Sequence, residues 1–248
     1  MASLPRSLKF YRWLATRKGR REAGLFMVEG ERAIRQVAGA SPGSIVEILA
    51  VPGQRPIGRY PHRTLTPEQF KRVAATQTPQ GVLAVVRIPP EVESHRPPHP
   101  VGDRLLLLED IQDPGNVGTL IRTAAAFGFS GAVLSAKCAD PFSPRVVQAT
   151  AGSVLSLWLR RTGRYLETVD ILRGQGFCLA AADLRGEEDT ALLGSGQLLL
   201  ALGNEAAGLS PAVLARADGR LRLPVAAEKA QSLNVAACGA VLMYLSRR

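Results

Sequence analysis

Apolar segments alternate with helical segments through residues 104–248, and this alternation is the strongest pattern in the chain. The run LLLLED at 105–110 precedes a Gly and Asn turn, which is followed by VGTLIRTAAAFG with helical spacing and by the apolar segment GAVLS. Further strand candidates are FCLAAAD, LLLALGNE and LRLPV, and further helix candidates are RVVQATAGS and SLNVAACGAVLMYLSR. Apolar strands that alternate with helices predict a mostly parallel sheet with helices on both faces.

The first 98 residues carry a different pattern. The segment from Ser7 to Ala38 has helical spacing. Its candidate buried positions are Leu25, Phe26, Val28, Ile34 and Val37. SIVEILAVPG and GVLAVVRIP predict strands, because both are rich in Val and Ile and are bounded by Gly or Pro. Thr66 and Pro67 predict the start of a helix that runs through Ala75. The pattern predicts a small α/β domain.

A proline-rich segment separates these two patterns. Residues 87–103, RIPPEVESHRPPHPVGD, contain five prolines and little apolar periodicity, which is typical of a stiff, extended linker. We therefore predict a first domain at 1–98 and a second domain at 104–248.

Charge divides the chain in the same way. The 248 residues contain 31 Lys and Arg against 21 Asp and Glu, a formal charge of +10. Residues 1–98 contain 16 of these cations and 7 of the acids, so nine of the ten net charges belong to the first domain. The excess predicts a polyanionic partner, and charge alone does not separate nucleic acid from an acidic membrane surface.

The chain lacks the residues that several classes of protein require. The three cysteines are widely spaced without a CxxC, and His95 and His99 lie in a proline-rich segment that cannot be helical, so we predict no disulfide framework and no metal site. A reducing, cytoplasmic setting fits, although the acid-free N-terminus keeps a mitochondrial presequence as an alternative. No apolar run approaches membrane-spanning length. GxGxxG and GxxxxGK[ST] are absent, and no histidine after His99 could serve a serine nucleophile.

Three polar loops of the second domain resemble the ordered motifs of a known family. They are EDIQDPGNVGTLIRTAAAFG at 109–128, LGNEAAGLSP at 202–211 and LPVAAEKAQSLNVAA at 223–237. The first contains Asn116 and Arg122, the second Glu205, and the third Ser232 and Asn234. In order and spacing they resemble the SpoU (TrmH) family of the SPOUT superfamily, the S-adenosylmethionine-dependent RNA 2′-O-ribose methyltransferases. The segment 139–153 resembles the stretch between the family's first and second motifs, and GLFMVEGERAI and TQTPQGVLAVV resemble its substrate-binding domain.

This resemblance implies a fold, a cofactor and an assembly. It implies an α/β fold with a C-terminal trefoil knot, which pattern alone would not propose because knots are close to absent from proteins. It also implies S-adenosylmethionine as cofactor and a homodimer with active sites near the interface. The residues expected to bind the cofactor are Leu202, Gly203, Asn204, Glu205, Gly208, Leu223, Pro224, Ser232, Leu233 and Asn234.

The expected catalytic residues are Asn116, Arg122, Glu205, Ser232 and Asn234. A ribose hydroxyl is a weak nucleophile, so it must be aligned with the sulfonium methyl and helped to lose its proton. Asn116 can fix a ribose or carboxylate, and Arg122 can clamp a phosphate or lower the pKa of the hydroxyl. The resemblance implies that the arginine at this position is the proton acceptor, as is often assumed for the family. A guanidinium, however, stays protonated at ordinary pH. Glu205 could orient Arg122 or carry charge near the sulfonium.

Each of these residues also has an ordinary structural interpretation. Arg122 fits a solvated helix face, Asn116 a turn, and Ser232 a helix N-cap. Glu205 fits a carboxylate at a helix start. Their occurrence in three matched motifs favours the functional interpretation.

The motifs also depart from the family pattern. Ala206 stands where the family usually has glycine, and its methyl group could narrow the cofactor loop. In the third motif, Val225, Ala226 and Ala227 follow Pro224, the interval to Ser232 is longer, and Gln231 replaces the usual acid.

The basic N-terminal segment combines cations with aromatic residues. We predict that phosphate contacts come from Arg6, Lys9, Arg12, Arg17, Lys18, Arg20 and Arg21. Arg32, Arg35, Arg59, Arg63, Lys71 and Arg72 could extend this surface. Phe10, Tyr11 and Trp13 could stack on unpaired bases or enter the core, and the sequence does not separate these two roles.

The sequence therefore predicts a cytoplasmic RNA 2′-O-ribose methyltransferase whose first domain binds structured RNA, with ribosomal RNA favoured over transfer RNA. The alternatives are a knotted RNA-binding assembly factor that has lost catalysis and a base methyltransferase of the same fold.

Overall fold

The computed structural model describes residues 6–226, 228–229 and 232–247. The helices are α1 (Leu8–Leu14), α2 (Arg17–Ala23), α3 (Glu31–Ala40), α4 (Pro67–Val73), α5 (Pro114–Ala126), α6 (Pro144–Thr150), α7 (Tyr165–Gly174), α8 (Pro211–Leu214) and α9 (Val235–Leu245). The strands are β1 (Leu25–Glu29), β2 (Ile45–Ala50), β3 (His62–Thr64), β4 (Val82–Arg87), β5 (Arg104–Leu108), β6 (Gly131–Ser135), β7 (Trp158–Thr162), β8 (Cys178–Glu187), β9 (Leu198–Leu202) and β10 (Gly219–Leu221).

The chain forms two compact units, and it enters the first of them twice. Unit 1 contains Met1–Pro90 and Asp140–Ser156, and unit 2 contains Glu91–Ala139 and Leu157–Arg248. This division differs from the predicted one, which assigned residues 140–156 to the second domain. The returning segment belongs to unit 1 because Asp140 pairs with Arg20 and the Phe142 ring packs on Phe26 with centroids 4.9 Å apart.

Unit 1 is built on a four-stranded sheet with the order β1-β4-β2-β3. β4 pairs antiparallel with both of its neighbours, and β2 pairs parallel with β3. The predicted helix from Ser7 to Ala38 is wrong at Leu25–Glu29, which is an edge strand. Helix α2 ends at Gly24 with φ of 62°, a left-handed conformation that glycine adopts at little cost, and the chain then extends. The predicted buried positions were correct, because the apolar residues of a strand and of a helix both face the core.

The helix predicted from Thr66 is confirmed. Thr66 and Gln69 form a reciprocal capping box at the start of α4, with Pro67 at the first helical position. Both predicted strands of the first domain are also present as β2 and β4. The short strand β3 has no apolar pattern and was not predicted.

Unit 2 is built on a six-stranded sheet with the order β10-β8-β9-β5-β6-β7, and each of its strand pairs is parallel. The predicted parallel α/β architecture is therefore confirmed. Leu108 at the end of β5 pairs with Leu202 at the end of β9, so the loops that follow these strands start at the same level. The carboxyl ends of neighbouring strands where the order reverses are the usual ligand site of such sheets. The trefoil knot stays a prediction of the resemblance.

Helices α5 and α9 pack closely beside this edge. A Cβ on Gly239 would lie 2.4 Å from a methyl of Leu120 and 2.6 Å from a methyl of Leu202, so glycine permits their close approach. The strand predicted at 221–225 is wrong in position, because β10 covers Gly219–Leu221. Strand β7 and helix α7 were not predicted.

The proline-rich segment is anchored to unit 2 beyond Pro90. Arg160 donates to the Glu91 carboxylate at 2.7 Å, and the Trp158 indole donates to the carbonyl of Val101 at 2.9 Å. Beyond Pro90 the predicted linker therefore packs against unit 2, and it includes a short 3-10 helix at Pro90–Glu93 where extended chain was expected. Within the described residues, no helix has the length and hydropathy to cross a membrane. Across the same part of the chain, no group of three or more His, Cys, Asp and Glu side chains could hold a metal.

Candidate active site at the carboxyl edge of the parallel sheet

The first motif forms the entry to α5. The Asp113 carboxylate accepts a hydrogen bond from the backbone N–H of Asn116 at 2.8 Å, and Pro114 occupies the first turn. This cap fixes the direction of the helix start. The Asn116 side chain is consequently held at the sheet edge, half-buried, with its amide free to bond with the other motifs.

The second motif is tied to the end of β5 by two hydrogen bonds. The Glu109 carboxylate accepts one from the Ser210 backbone N–H and one from the Ser210 hydroxyl, each at 2.7 Å. Asn204 adds a third link by donating to the carbonyl of Asp110 at 2.9 Å. The loops after β5 and β9 therefore form one connected structure.

Glu205 joins the second motif to the first. Its carboxylate accepts a hydrogen bond from the Asn116 side chain at 3.0 Å and from the backbone N–H groups of Gln112 and Asp113 at 3.4 and 3.3 Å. Burial raises the pKa of the Glu205 carboxyl, but these donors outweigh burial and hold the pKa below its usual value. Glu205 is therefore ionised at neutral pH and acts as an acceptor. Among the described residues it forms no hydrogen bond or ion pair with Arg122, so the expectation that it orients Arg122 is corrected.

Asn234 connects the third motif to the same network. Its side-chain oxygen caps α9 by accepting from the backbone N–H groups of Ala236 and Ala237 at 2.8 and 3.3 Å. Its side-chain nitrogen donates to the Asn116 oxygen at 3.0 Å. A continuous chain of hydrogen bonds from Glu205 through Asn116 to Asn234 thus links the three motifs.

A cavity of about 500 Å³ opens beside the second and third motifs. Most residues predicted to bind the cofactor line it, namely Leu202, Gly203, Asn204, Glu205, Gly208, Leu223, Ser232 and Leu233. Pro224 and Asn234 are not among the lining residues. The sequence analysis missed Asp183, Arg185, Arg220 and Arg222, which also line the cavity. They lie on β8, on β10 or directly after β10, where strand pairing brings them to the cavity and no local motif marks them.

The second-motif loop requires glycine at one position. A Cβ on Gly203 would lie 2.2 Å from the carbonyl carbon of Gly208 and 2.3 Å from the nitrogen of Leu209, so the two arms of the loop meet in backbone contact. Gly208 itself has φ of 71°. Ala206 is different, because it is exposed and is not one of the non-glycine residues with positive φ. The loop therefore accepts alanine there without backbone strain.

Arg122 and Ser232 stand apart from the network. Arg122 is exposed on α5, six residues and therefore about 9 Å along the helix from Asn116. Ser232 is exposed and lines the cavity. Neither side chain has a hydrogen bond or ion pair within the described residues. Ala227 and Gln231, two of the third-motif departures, lie outside those residues.

The cations predicted to contact RNA divide into two groups. Arg20 is only 4% exposed, and its guanidinium donates to the Asp140 carboxylate at 2.5 Å and to the carbonyls of Leu14 and Ala15. The prediction that Arg20 contacts RNA is therefore wrong, because its donors are already used inside unit 1. Arg6 is half-buried and pairs with Glu47. The exposed cations are Lys9, Arg12, Arg17, Lys18 and Arg21.

The aromatic residues of this segment also divide. Tyr11 is fully buried, and its hydroxyl donates to the Glu47 carboxylate at 3.0 Å. It is therefore a core residue. Phe10 and Trp13 are half-buried, with ring centroids 6.0 Å apart, and only these two retain surface for a stacking contact.

Comparison with known proteins identifies the family. Residues 103–244 match the SpoU rRNA Methylase family, and residues 6–84 match the MRM3-like substrate binding domain. The chain is 33% identical over 244 residues to the 23S rRNA (guanosine(2553)-2′-O)-methyltransferase RlmP of Bacillus subtilis, covering 96% of this chain and 94% of that protein. It is 30% identical over 259 residues to the 23S rRNA (uridine(2479)-2′-O)-methyltransferase of Streptomyces viridochromogenes, covering 96% and 89%.

The fold agrees with these similarities. The crystal structure of the SpoU methyltransferase AviRb from Streptomyces viridochromogenes in complex with AdoMet matches with a TM-score of 0.82 at 26% identity, covering 97% of both chains. One family model matches more than half of this chain, and that match contains all three motifs. The chain therefore belongs to the SpoU (TrmH) family and is an S-adenosylmethionine-dependent RNA methyltransferase.

Proposed function

We propose that this enzyme methylates a ribose 2′-hydroxyl of ribosomal RNA. The observation that carries the proposal is the hydrogen-bonded chain of Glu205, Asn116 and Asn234 next to the cavity of unit 2. Its amide and carboxylate groups suit the alignment of a sugar hydroxyl. The two relatives described above carry names that specify 2′-O-methylation of 23S rRNA, one at a guanosine and one at a uridine. This pair supports a ribose target over a particular base.

The cavity fits S-adenosylmethionine. A volume of about 500 Å³ lies within the usual range of about 300–1,000 Å³ for small-molecule sites. Leu202, Leu223 and Leu233 offer apolar surface, and Gly203 lets backbone groups approach a ligand closely. Arg220 pairs with Asp183 at 3.6 Å and Arg222 pairs with Glu188 at 2.9 Å. Together with Glu205, Asp183 and the two arginines give the lining charged groups of both signs for the cofactor. When bound, the cofactor supplies an electrophilic methyl group.

The side chains of the network act by positioning. Glu205 is ionised and already accepts several hydrogen bonds, so it holds Asn116 and cannot donate a proton. Asn116 and Asn234 are fixed by each other and by helix caps, which lowers the entropy cost of aligning the hydroxyl. Arg122 is an exposed cation that can clamp the neighbouring phosphate and stabilise the developing alkoxide. The hydroxyl proton then passes to water.

The position of Arg122 also has a consequence for the oligomeric state of the enzyme. Arg122 forms no hydrogen bond or ion pair with the network within the described residues, so its catalytic role needs RNA or a second copy of the chain. Helix α9 leaves Val241, Tyr244 and Leu245 between 43% and 46% exposed, an apolar surface typical of an interface. We propose that two copies associate through α5 and α9, and that the enzyme acts in the cytoplasm on ribosomal RNA.

An assay that reports the modified atom tests the proposal. The enzyme is incubated with unmodified 23S rRNA, transfer RNA and methyl-labelled cofactor, and the RNA is digested to nucleosides. We expect label in a 2′-O-methyl nucleoside of 23S rRNA. Label on a base would favour the base methyltransferase, and absence of cofactor binding by titration calorimetry would favour the assembly factor. Label only in transfer RNA would overturn the choice of substrate.

Substitution of Arg122 tests the proposed phosphate clamp. Arg122→Ala is expected to abolish measurable transfer, because the clamp and its positive charge are lost, and to leave cofactor affinity within about twofold. Turnover and calorimetry give the two values. Arg164→Ala, which removes an exposed cation of unit 2 that pairs with Glu167, is the control. Near-normal turnover in Arg122→Ala would remove this residue from the site.

A further inference from the structure

Unit 1 contains a cavity of its own, of about 300 Å³, that the methyl-transfer site does not use. Its walls come from the end of β1, the start of α3, the loop at residues 75–80 and helix α6. The floor is apolar and includes Met27, Leu83 and Val147. The rim is polar and includes Arg32, Thr78 and Gln148. An apolar slot with a polar rim suits a flat ring that carries hydrogen-bonding edges.

The loop that forms one wall is held in place by Glu29. Its carboxylate oxygen Oε1 accepts from the Thr76 hydroxyl at 2.6 Å and from the backbone N–H of Gln80 at 3.2 Å. The other oxygen, Oε2, is buried and accepts no hydrogen bond from the described residues. Glu29 therefore joins the end of β1 to the loop and fixes the position of this wall.

The neighbouring wall is the N-terminus of α3. Gly30 occupies the N-cap with φ of 93° and provides no capping side chain for the ten-residue helix. The first turn thus presents backbone N–H groups and the positive end of the helix dipole, which favour an anion, and its one acidic residue, Glu31, is paired with Arg35 at 2.7 Å. Arg32 adds an exposed cation at the same rim and forms no ion pair within the described residues.

We propose that this cavity binds one unstacked nucleotide of the RNA substrate, with the base in the apolar slot and the phosphate at the start of α3. The inference rests on the proposed function, since it assigns a substrate subsite to the same enzyme. The volume, at the lower end of small-molecule sites, suits a single base. Every base has a flat π-face that fits an apolar slot, so the subsite recognises an unpaired base and not its identity.

Filling the slot tests the base contact. Ala75→Trp places an indole on a lining position of the loop, and Gln77→Trp places one on an exposed position of the same loop outside the cavity. We expect Ala75→Trp to raise the KM for 23S rRNA by about 5- to 150-fold, the range expected for loss of one stacked base, with unchanged kcat and cofactor affinity. Gln77→Trp should leave the KM within about twofold. Equal KM values in the two variants would overturn the proposal.

A matched pair on α3 tests the phosphate contact. Arg32→Gln removes a cation that lines the cavity, and Arg35→Gln removes an exposed cation of the same helix that does not. The first should raise the KM for RNA more than the second, at equal net charge. Equal effects would show that only overall charge matters and would overturn the phosphate contact.

Direct binding separates a nucleotide from a free anion. Uridine and guanosine 5′-monophosphates, titrated into the full-length protein, should shift the amide NMR resonances of residues 30–33 and 76–80, whereas inorganic phosphate should shift only residues 30–33. Identical shifts would overturn the base contact. If the wild-type enzyme fails to methylate RNA while nucleotides still produce these shifts, the proposed function fails and the subsite stands.

Discussion

The functional polar side chains of the two units differ in how far contacts within the protein hold them in place. In unit 2, Glu205, Asn116 and Asn234 are already bonded to one another and to helix starts. In unit 1, Lys9, Arg12, Arg17 and Arg21 are exposed and form no ion pair within the described residues. Methyl transfer needs atoms held to a fraction of an ångström, whereas attraction to a phosphate backbone acts over several ångströms and tolerates mobile side chains. The polar groups are therefore held by hydrogen bonds where methyl transfer needs precise alignment, and they are exposed where attraction to phosphate suffices.

Arg20 is the fully buried cation among those predicted to contact RNA, and its removal gives the largest expected effect. Arg20→Ala leaves the Asp140 carboxylate without its buried partner and should destabilise the protein by about 3–5 kcal/mol, measured by urea unfolding. Arg21→Ala removes the adjacent exposed cation and should change the free energy of unfolding by about 0.5 kcal/mol or less. Similar stabilities of the two variants would contradict the structural role of Arg20.

The second largest effect is expected from a substitution in the second-motif loop, where backbone packs against backbone. Gly203→Ala places a methyl group against the backbone of Gly208, so the loop must open and cofactor affinity should fall by about 10- to 100-fold. Titration calorimetry measures it. Ala206→Gly is the control in the same loop and should bind within about twofold of wild type. Unchanged affinity in Gly203→Ala would mean that this loop does not hold the cofactor.

The exposed cations of α1 and α2 should act through charge alone. Arg12→Ala and Arg21→Ala should each reduce the slope of log K against log salt concentration for RNA binding by about one, as expected for the loss of one phosphate contact. Filter binding at several salt concentrations gives the slope. Arg216→Ala, which removes a cation of unit 2 paired with Asp170, should leave the slope unchanged. The same slope in all three variants would place the RNA elsewhere.

The smallest effect is the pH dependence of the Glu205 network. The pKa of Glu205 is lowered in the folded protein, so its contribution to stability is complete above the unfolded pKa of about 4.3 and is lost as pH falls through the folded pKa. The glutamine in Glu205→Gln has no carboxyl group that could titrate. The difference in unfolding free energy between wild type and this variant should be constant from pH 7 to 5 and should shrink below about pH 4. A difference that is independent of pH would exclude an ionised, hydrogen-bonded Glu205.

Local patterns predicted the elements whose signals are strong. The leucine run of β5, the helix start at Thr66 and Pro67 and the spacing of α5 and α9 each identified an element correctly. The strand Leu25–Glu29 was mistaken for helix because its five residues continue a helical pattern and only Gly24 marks the break. Strand β7 carries two arginines, and its pattern is therefore too polar to recognise.

The sequence predicted which motifs form the candidate site but not which of their side chains hydrogen-bond to one another. Asn116, Glu205 and Asn234 were expected to act together, and their hydrogen bonds join them. Their bonding order was not expected, because the pairs lie 89 and 118 residues apart and the sequence does not give distances between segments. Asp183 and Arg220 were missed for the same reason, since only the pairing of β8 with β10 brings them to the cavity.

The sequence by itself determined the parallel α/β class, the uneven charge and the three motifs, because periodicity, composition and loop chemistry are local properties. Only the tertiary structure decided which charged groups remain available for partners. Arg20 and Arg21 are neighbours with the same chemistry, yet one is buried against Asp140, 120 residues away, and the other is exposed. Burial depends on what distant segments bring to a residue, and it converts one arginine into a structural group while its neighbour stays free to meet RNA.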